Sequence, residues 1–226
     1  IDGKDVYPKL HDKLKESGFD KKEPISKQLY DIYGLYPAPG DRHVGEFFPY
    51  YMKEEVLMEQ DYEWKNNDFK VVDGWREEAR VLFDEVRTKK EGYEEFLKGS
   101  GETATYFIRS LATGDISDEM VNVINNGYID NVSSGIIVEL PTYIDEFGLH
   151  PQKIGKLPDA IAAQCDRLGR EYLLMVEAAA TCNYELARQA MFLDPLVSNC
   201  KYPELLLKDL IRANLDLLPE AWEKHC

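Results

Sequence analysis

Asp41, Arg42, His43 and Glu46 fall within six residues, directly after Tyr36-Pro37-Ala38-Pro39-Gly40. Two prolines and a glycine in five residues cannot continue a helix, so a loop delivers these side chains. Arginine brings a planar fork of donors, histidine donates or accepts near neutral pH, and carboxylates accept from hydroxyls. Phe47, Phe48, Tyr50 and Tyr51 follow at once. Charged groups beside aromatic rings suit a polar, carbohydrate-like ligand. A carboxylate in such surroundings can also have its pKa raised toward that of a general base. The same residues read equally as a helix start capped by Asp41, with His43 and Glu46 satisfied by solvent or backbone. His43 and Glu46 at i, i+3 would give a metal only two ligands, too few to assert a site.

Asn125-Asn126-Gly127 and Asp130-Asn131 form a second polar cluster. Asn and Gly are turn formers first, and a substrate-facing loop is the alternative. Glu102 follows Gly99-Ser100-Gly101 and could serve a site at a helix N-terminus, although dipole complementation explains it as well. Glu139 interrupts the apolar run Ile136–Pro141, where it needs a partner if buried or faces solvent by simple alternation.

The elements that must position these groups follow from periodicity. Asp5-Val6-Tyr7-Pro8 opens a first helix, and Ser26–Tyr33 forms a second that ends near Gly34. Trp75, Ala79, Leu82, Phe83 and Val86 predict a long helix from Trp75, continued by Tyr93, Phe96 and Leu97 and stopped at Gly99-Ser100-Gly101. A further helix is predicted from Glu102 to about Thr113, ended by Gly114-Asp115. Met120–Asn125 and Ile136–Asp145 are β-rich runs that should pair antiparallel, with Glu146-Phe147-Gly148 a tight turn into Leu149. After Pro158 a helix carries Ile161, Cys165, Leu168, Tyr172, Met175, Val176 and Ala179 as one apolar stripe. Thr181-Cys182-Asn183 breaks it, and another helix runs to Leu193, closed by Asp194-Pro195. Pro203 opens a last helix with Leu206, Leu210, Ala213, Leu217 and Ala221 on one side. The sum is an α+β arrangement, helices around a small antiparallel sheet. No βαβ series, Gly-x-Gly-x-x-Gly or phosphate loop is present, so no nucleotide-binding unit is recognisable in the 226 residues.

Charge narrows the partners. Lys and Arg number 27 against 42 Asp and Glu, a net charge of −15, and the pI is near 4.7. That balance argues against nucleic acid, whose phosphates need a basic face, and against anionic membrane surfaces. No apolar run approaches the roughly 18–20 residues of a membrane helix. Cys165, Cys182, Cys200 and Cys226 form no Cys-x-x-Cys and have no His at zinc spacing, which fits reduced thiols in a cytoplasmic protein. The chain opens on Ile1 rather than Met, as expected for a piece of something longer.

Four stretches in order resemble the family-four glycoside hydrolases, closest to their α-galacturonidase and α-glucosidase/α-galactosidase-like members. They are Gly3-Lys4-Asp5-Val6-Tyr7-Pro8; Tyr36–Pro49; Val121–Asn131 with Val138-Glu139-Leu140-Pro141; and Glu177-Ala178-Ala179 with Asp194-Pro195-Leu196-Val197. The resemblance implies NAD- and Mn²⁺-dependent cleavage of α-glycosides, α-galacturonides among them, without the usual pair of carboxylates. The sugar's C3 hydroxyl is oxidised, a base removes the C2 proton, and the glycosidic oxygen is eliminated. By position, Asp41 is the implied base, and Arg42, His43 and Asn126 are the implied substrate contacts. The family's N-terminal Rossmann domain, which binds NAD and supplies the metal-binding Cys and His, has no counterpart here. Residues 1–226 then correspond to the substrate-binding and oligomerisation half, with the fold of lactate-dehydrogenase-type C-terminal domains, expected to be inactive alone and to form homo-oligomers. Two rival readings stand beside this one: a non-catalytic sugar-binding or oligomerisation module, and a conventional hydrolase pairing Asp41 with Glu46.

Overall fold

A computed structural model describes residues 4–16, 23–52, 69–89, 94 and 103–225, without the side chains of residues 15, 16, 42, 69–71, 89 and 199. Among these residues the helices are α1 (Pro8–Glu16), α2 (Pro24–Tyr33), α3 (Asp41–Val44), α4 (Phe69–Lys89), α5 (Ala104–Thr113), α6 (Asp159–Thr181), α7 (Tyr184–Leu193) and α8 (Pro203–Ala213). Short 3-10 turns cover Gly45–Phe47, Pro195–Asn199 and Glu220–His225. Strands β1 (Ser117–Ile124), β2 (Ile137–Asp145) and β3 (Gly148–Pro151) form one antiparallel sheet in the order β1-β2-β3. The predicted α+β class, helices with a small antiparallel sheet, is what the structure contains.

The chain divides into two compact units, residues 1–64, 124–138 and 153–226 in one and 65–123 with 139–152 in the other. In the second unit, Thr142 pairs with Pro151 and Asp145 with Gly148 across the β2–β3 hairpin. Gly148 makes the turn at φ 121°. Leu140, Thr142 and Ile144 are buried along β2 while Glu139 and Tyr143 are exposed, so alternation settles Glu139 as a solvent-facing carboxylate. Helix α5 ends at Gly114, left-handed at φ 76°, as its sequence predicts. Helix α4 starts six residues before Trp75, through Val71, Val72 and Gly74, whose low propensity masked its first turns. Trp75 and Phe83 of its expected apolar face are exposed, and Arg80 pairs with Glu77 and Asp84 along the surface. Residues 95–102, with the expected stop at Gly99-Ser100-Gly101 and the candidate Glu102, lie outside the described residues.

The first unit holds two apolar clusters. Ile25, Leu29, Val44, Tyr51 and Met52 pack together, with Tyr33 and Phe48 against them. Leu207, Ile211 and Trp222 form another, against residues of α7 that include Tyr184, Ala187 and Met191. The expected faces of α6 and α8 are both rotated. On α6 the buried positions are Ala162, Gly169, Glu171 and Ala178, while Tyr172, Met175 and Val176 are exposed. Small residues allow close approach. A Cβ on Gly169 would stand 2.5 Å from the Cδ1 of buried Ile136, and Ala178 is buried where α6 packs on α7. On α8 the buried pair is Leu207 and Ile211, not Leu206 and Leu210, because the chain turns back after Ala213 and brings Trp222 over them. Cys182 at φ 51° closes α6, and Asn183 caps α7 by accepting from the N–H groups of Glu185 and Leu186.

Candidate functional site

The Asp41–Glu46 segment is built by long-range capping. Helix α2 opens with Pro24, which lacks an N–H, and leaves those of Ile25 and Ser26 without partners in the helix. Asp41 supplies both: its Oδ2 accepts from Ile25 N at 2.8 Å and its Oδ1 from Ser26 N at 2.7 Å. Glu23 returns the contact, its Oε2 accepting from Asp41 N at 2.7 Å. Two carboxylates thus cap each other's helix starts, where the dipole favours negative charge. Gly34, left-handed at φ 71°, ends α2 and begins the Pro/Gly loop between them. Tyr36 lies beside both acids. Burial first, then the Glu23 and Asp41 charges, push its phenol above the ordinary value.

Buried Val44 anchors the far side of the segment, while His43 stays exposed and Glu46 is half-buried. Arg42 lies within α3, and its side chain is outside the described residues. The structure therefore keeps Asp41, His43 and Glu46 on one short turn but commits both Asp41 oxygens to backbone N–H groups. The cap expected of Asp41 on its own helix is not made, since Gly40 precedes α3 with no side-chain cap; Asp41 caps the start of α2 instead.

The second polar cluster is organised by Asn125, fully buried. Its Nδ2 donates to the carbonyls of Ile129, Val132 and Ser133 at 3.2, 2.8 and 3.2 Å, and its Oδ1 accepts from Ile129 N at 3.0 Å. Asn131 binds the backbone of Leu157 as donor and acceptor. Asp166 accepts from Ser133 N at 2.7 Å and from Arg170. The Ser133 contacts, then Arg170, hold its carboxyl down at about 2. Asp130, Asn131, Ser133, Asp159 and Asp166 line an open cleft of about 430 Å³ here. Asn126 is exposed and is not among the residues that line this cleft.

Two residues beside the 41–47 segment escaped the sequence reading. Arg167 donates to the Phe47 carbonyl at 2.9 Å, and Glu171 is buried one turn further along α6. Glu171 had a signal, a carboxylate three residues after Leu168 and four before Met175, on the edge of the apolar stripe. Arg167 had none, since its partner lies 120 residues away. Among the described residues no three His, Cys, Asp or Glu side chains gather to hold a metal ion. The described side chains therefore do not make a manganese site.

The chain is similar to known proteins over nearly its whole length. It is 29% identical to an alpha-galactosidase of Bacillus subtilis (strain 168) over 97% of the chain and 51% of that protein. It is 30% identical to an alpha-galacturonidase of Thermoanaerobacterium saccharolyticum over 96% of the chain and 50% of that protein. The chain thus spans about half the length of the curated relatives it matches. Among solved structures, a glucosidase lplD from Bacillus subtilis matches with a TM-score of 0.71 at 28% identity, covering 82% of this chain and 42% of that one. A 6-phospho-alpha-glucosidase from gut microorganisms shares the fold with a TM-score of 0.78 at 24% identity, over 97% and 51% of the two chains. The model of the family 4 glycosyl hydrolase C-terminal domain matches residues 1–197, and the chain belongs to that family.

Proposed function

We propose that residues 1–226 are the substrate-facing and assembly part of a glycosidase that cleaves α-glycosides with NAD and Mn²⁺, both held by residues outside this chain. The observation that carries this reading is the family match over residues 1–197. It is supported by relatives named alpha-galactosidase and alpha-galacturonidase that are about twice as long. NAD and manganese accompany solved structures of the same fold, and they would supply the redox and Lewis-acid chemistry of the complete enzyme. In this reading His43, which is exposed, contacts a sugar hydroxyl, with Arg42 beside it in sequence and Asn126 as a further contact on its own loop. Asp41 is the proposed base. Each of its oxygens accepts one N–H and keeps a lone pair for a proton. The exposed Leu205, Leu206 and Leu210 of α8, with exposed Leu217 in the turn that follows where the sequence predicts the helix to continue, support a role for this end of the chain in homo-oligomer formation.

Expression of the complete coding sequence and of residues 1–226 side by side tests this reading. The complete protein should release p-nitrophenol from an α-galactoside or galacturonate from an α-galacturonide only with NAD and Mn²⁺, and residues 1–226 should release none. Hydrolysis by residues 1–226 alone would overturn it. A second reading is favoured by the two N–H bonds of Asp41, which suit a residue that shapes the segment rather than one that takes a proton. Exchange of the C2 proton in deuterated solvent separates the two. Asp41→Asn should abolish exchange if Asp41 is the base. Slowed but persistent exchange assigns it to positioning.

A further inference from the structure

Arg167 stands on α6 between two carbonyls from distant parts of the chain. Its Nη2 donates to the Phe47 carbonyl at 2.9 Å and its Nη1 to the Leu193 carbonyl at 2.8 Å. Nε and Nη2 share Gln164 Oε1 at 3.3 and 3.2 Å, which fixes the plane of the guanidinium. Phe47 ends the turn that begins with Asp41 and His43, and Leu193 is the last residue of α7, where carbonyls lack helical partners. A rigid planar fork can hold two carbonyls in a fixed relation, which a single ammonium on a flexible stem cannot do.

One turn along the same helix, Glu171 is 2% exposed, and its Oε2 has no hydrogen-bond partner. Burial first, then the Asp194 charge, raise its carboxyl to about 7, with Arg167 opposing. The charged groups that act on it are Asp194 after α7 and Arg167 on α6, and Tyr172 is its neighbour on α6. Tyr172 feels Glu171, Asp194 and Glu46 together and is itself pushed up, by burial first.

We infer that Arg167 is a positioning residue for the Asp41–Phe47 segment and that the buried Glu171 carboxyl beside it makes this hold depend on a proton. When Glu171 is neutral, the guanidinium serves the two carbonyls and the Gln164 amide oxygen. When Glu171 is ionised, an anionic acceptor competes for the same cation, and charge-assisted bonds outrank neutral ones. The tie to Phe47 then loosens, and the segment carrying His43 gains freedom. The consequence for catalysis rests on the proposed glycosidase reading, whereas the tie and its proton dependence do not.

Residues 1–226 with selectively ¹⁵N-labelled phenylalanine give the direct test. The amide signals of Phe47 and Phe48 should shift with pH with a midpoint near 7. The step should vanish in Glu171→Gln. In Arg167→Lys the midpoint should move and the amplitude at Phe47 fall by at least about half, while the urea midpoint shows the chain still folded. His43→Gln should retain the step, which separates it from titration of the neighbouring imidazole. Signals that stay in place across this range, or a step that survives Glu171→Gln, would overturn the inference. In the complete enzyme, Arg167→Lys should lower kcat/KM by about 10–100-fold, mostly in kcat, as expected for misplacement of a contact segment. If the complete protein proves not to be a glycosidase, the amide titration still decides the tie.

Discussion

The segment 34–48 and the loop 125–136 are both rich in polar residues and glycine, and both belong to the same unit, yet different partners hold them. The 125–136 loop is fastened chiefly from within. One buried side chain, Asn125, satisfies four backbone groups between residues 129 and 133, and Asp166 closes the outside. The 34–48 segment is held by elements remote in sequence: α2 receives the Asp41 carboxylate, Glu23 caps the turn, and Arg167 grips its end. A loop fastened from within is stiff whatever surrounds it. A loop held by charged side chains of other elements can respond to them, which suits a segment that meets a ligand.

Substitutions can break or sharpen this contrast, and the largest effect is expected in the self-held loop. Asn125→Ala removes the Asn125 bonds of four backbone groups, three of them buried, and should cost about 2–4 kcal/mol in urea unfolding. A loss below about 1 kcal/mol would show that the loop does not depend on this one side chain. Next comes Glu171. Between its ordinary value of 4.5 and the raised value of about 7, the native chain holds a proton that the unfolded chain has released. Stability therefore falls as pH rises through that window, and the cost is complete above it. Glu171→Gln should stabilise the chain by about 1–3 kcal/mol near pH 8, and the gain should fade toward pH 4.5. Equal gains at both pH values would mean the carboxyl is not held protonated. Asp41→Asn replaces one acceptor oxygen with a donor facing an N–H and should cost about 1–2 kcal/mol, read as a lower melting temperature. The smallest effect belongs to His43→Ala. This exposed side chain should change stability by less than about 0.5 kcal/mol, so any loss of activity in the complete enzyme would be functional.

How far the sequence reaches differs residue by residue. Gly34, Gly114, Asn183 and Pro203 mark helix ends where the structure has them, because backbone conformation and capping act within a few residues. The β2–β3 turn at Gly148 and the pairing of β-rich runs were legible for the same reason. The faces of α6 and α8 were not. Periodicity finds a stripe of large apolar residues, but the α6 contact uses Ala162, Gly169 and Ala178, and the turn after Ala213 selects Leu207 and Ile211 on α8. Asp41 stood out by type and spacing, but the cap expected on its own helix goes to the start of α2 instead. That partner was not legible, since Ile25 and Ser26 precede it by 16 and 15 residues.

By itself the sequence determined most helix starts and stops among the described residues, the β-rich runs, the −15 charge and the family to which residues 1–197 belong, because local propensity, composition and ordered motifs are written along the chain. Only the tertiary structure decided that Asp41 shares its carboxylate with the start of α2, that Asn125 rather than Asn126 organises its loop, and that Arg167 and Glu171 lie beneath the Phe47 turn. Hydrogen bonds and burial depend on distance in space, and folding brings together groups up to 120 residues apart that no spacing rule connects.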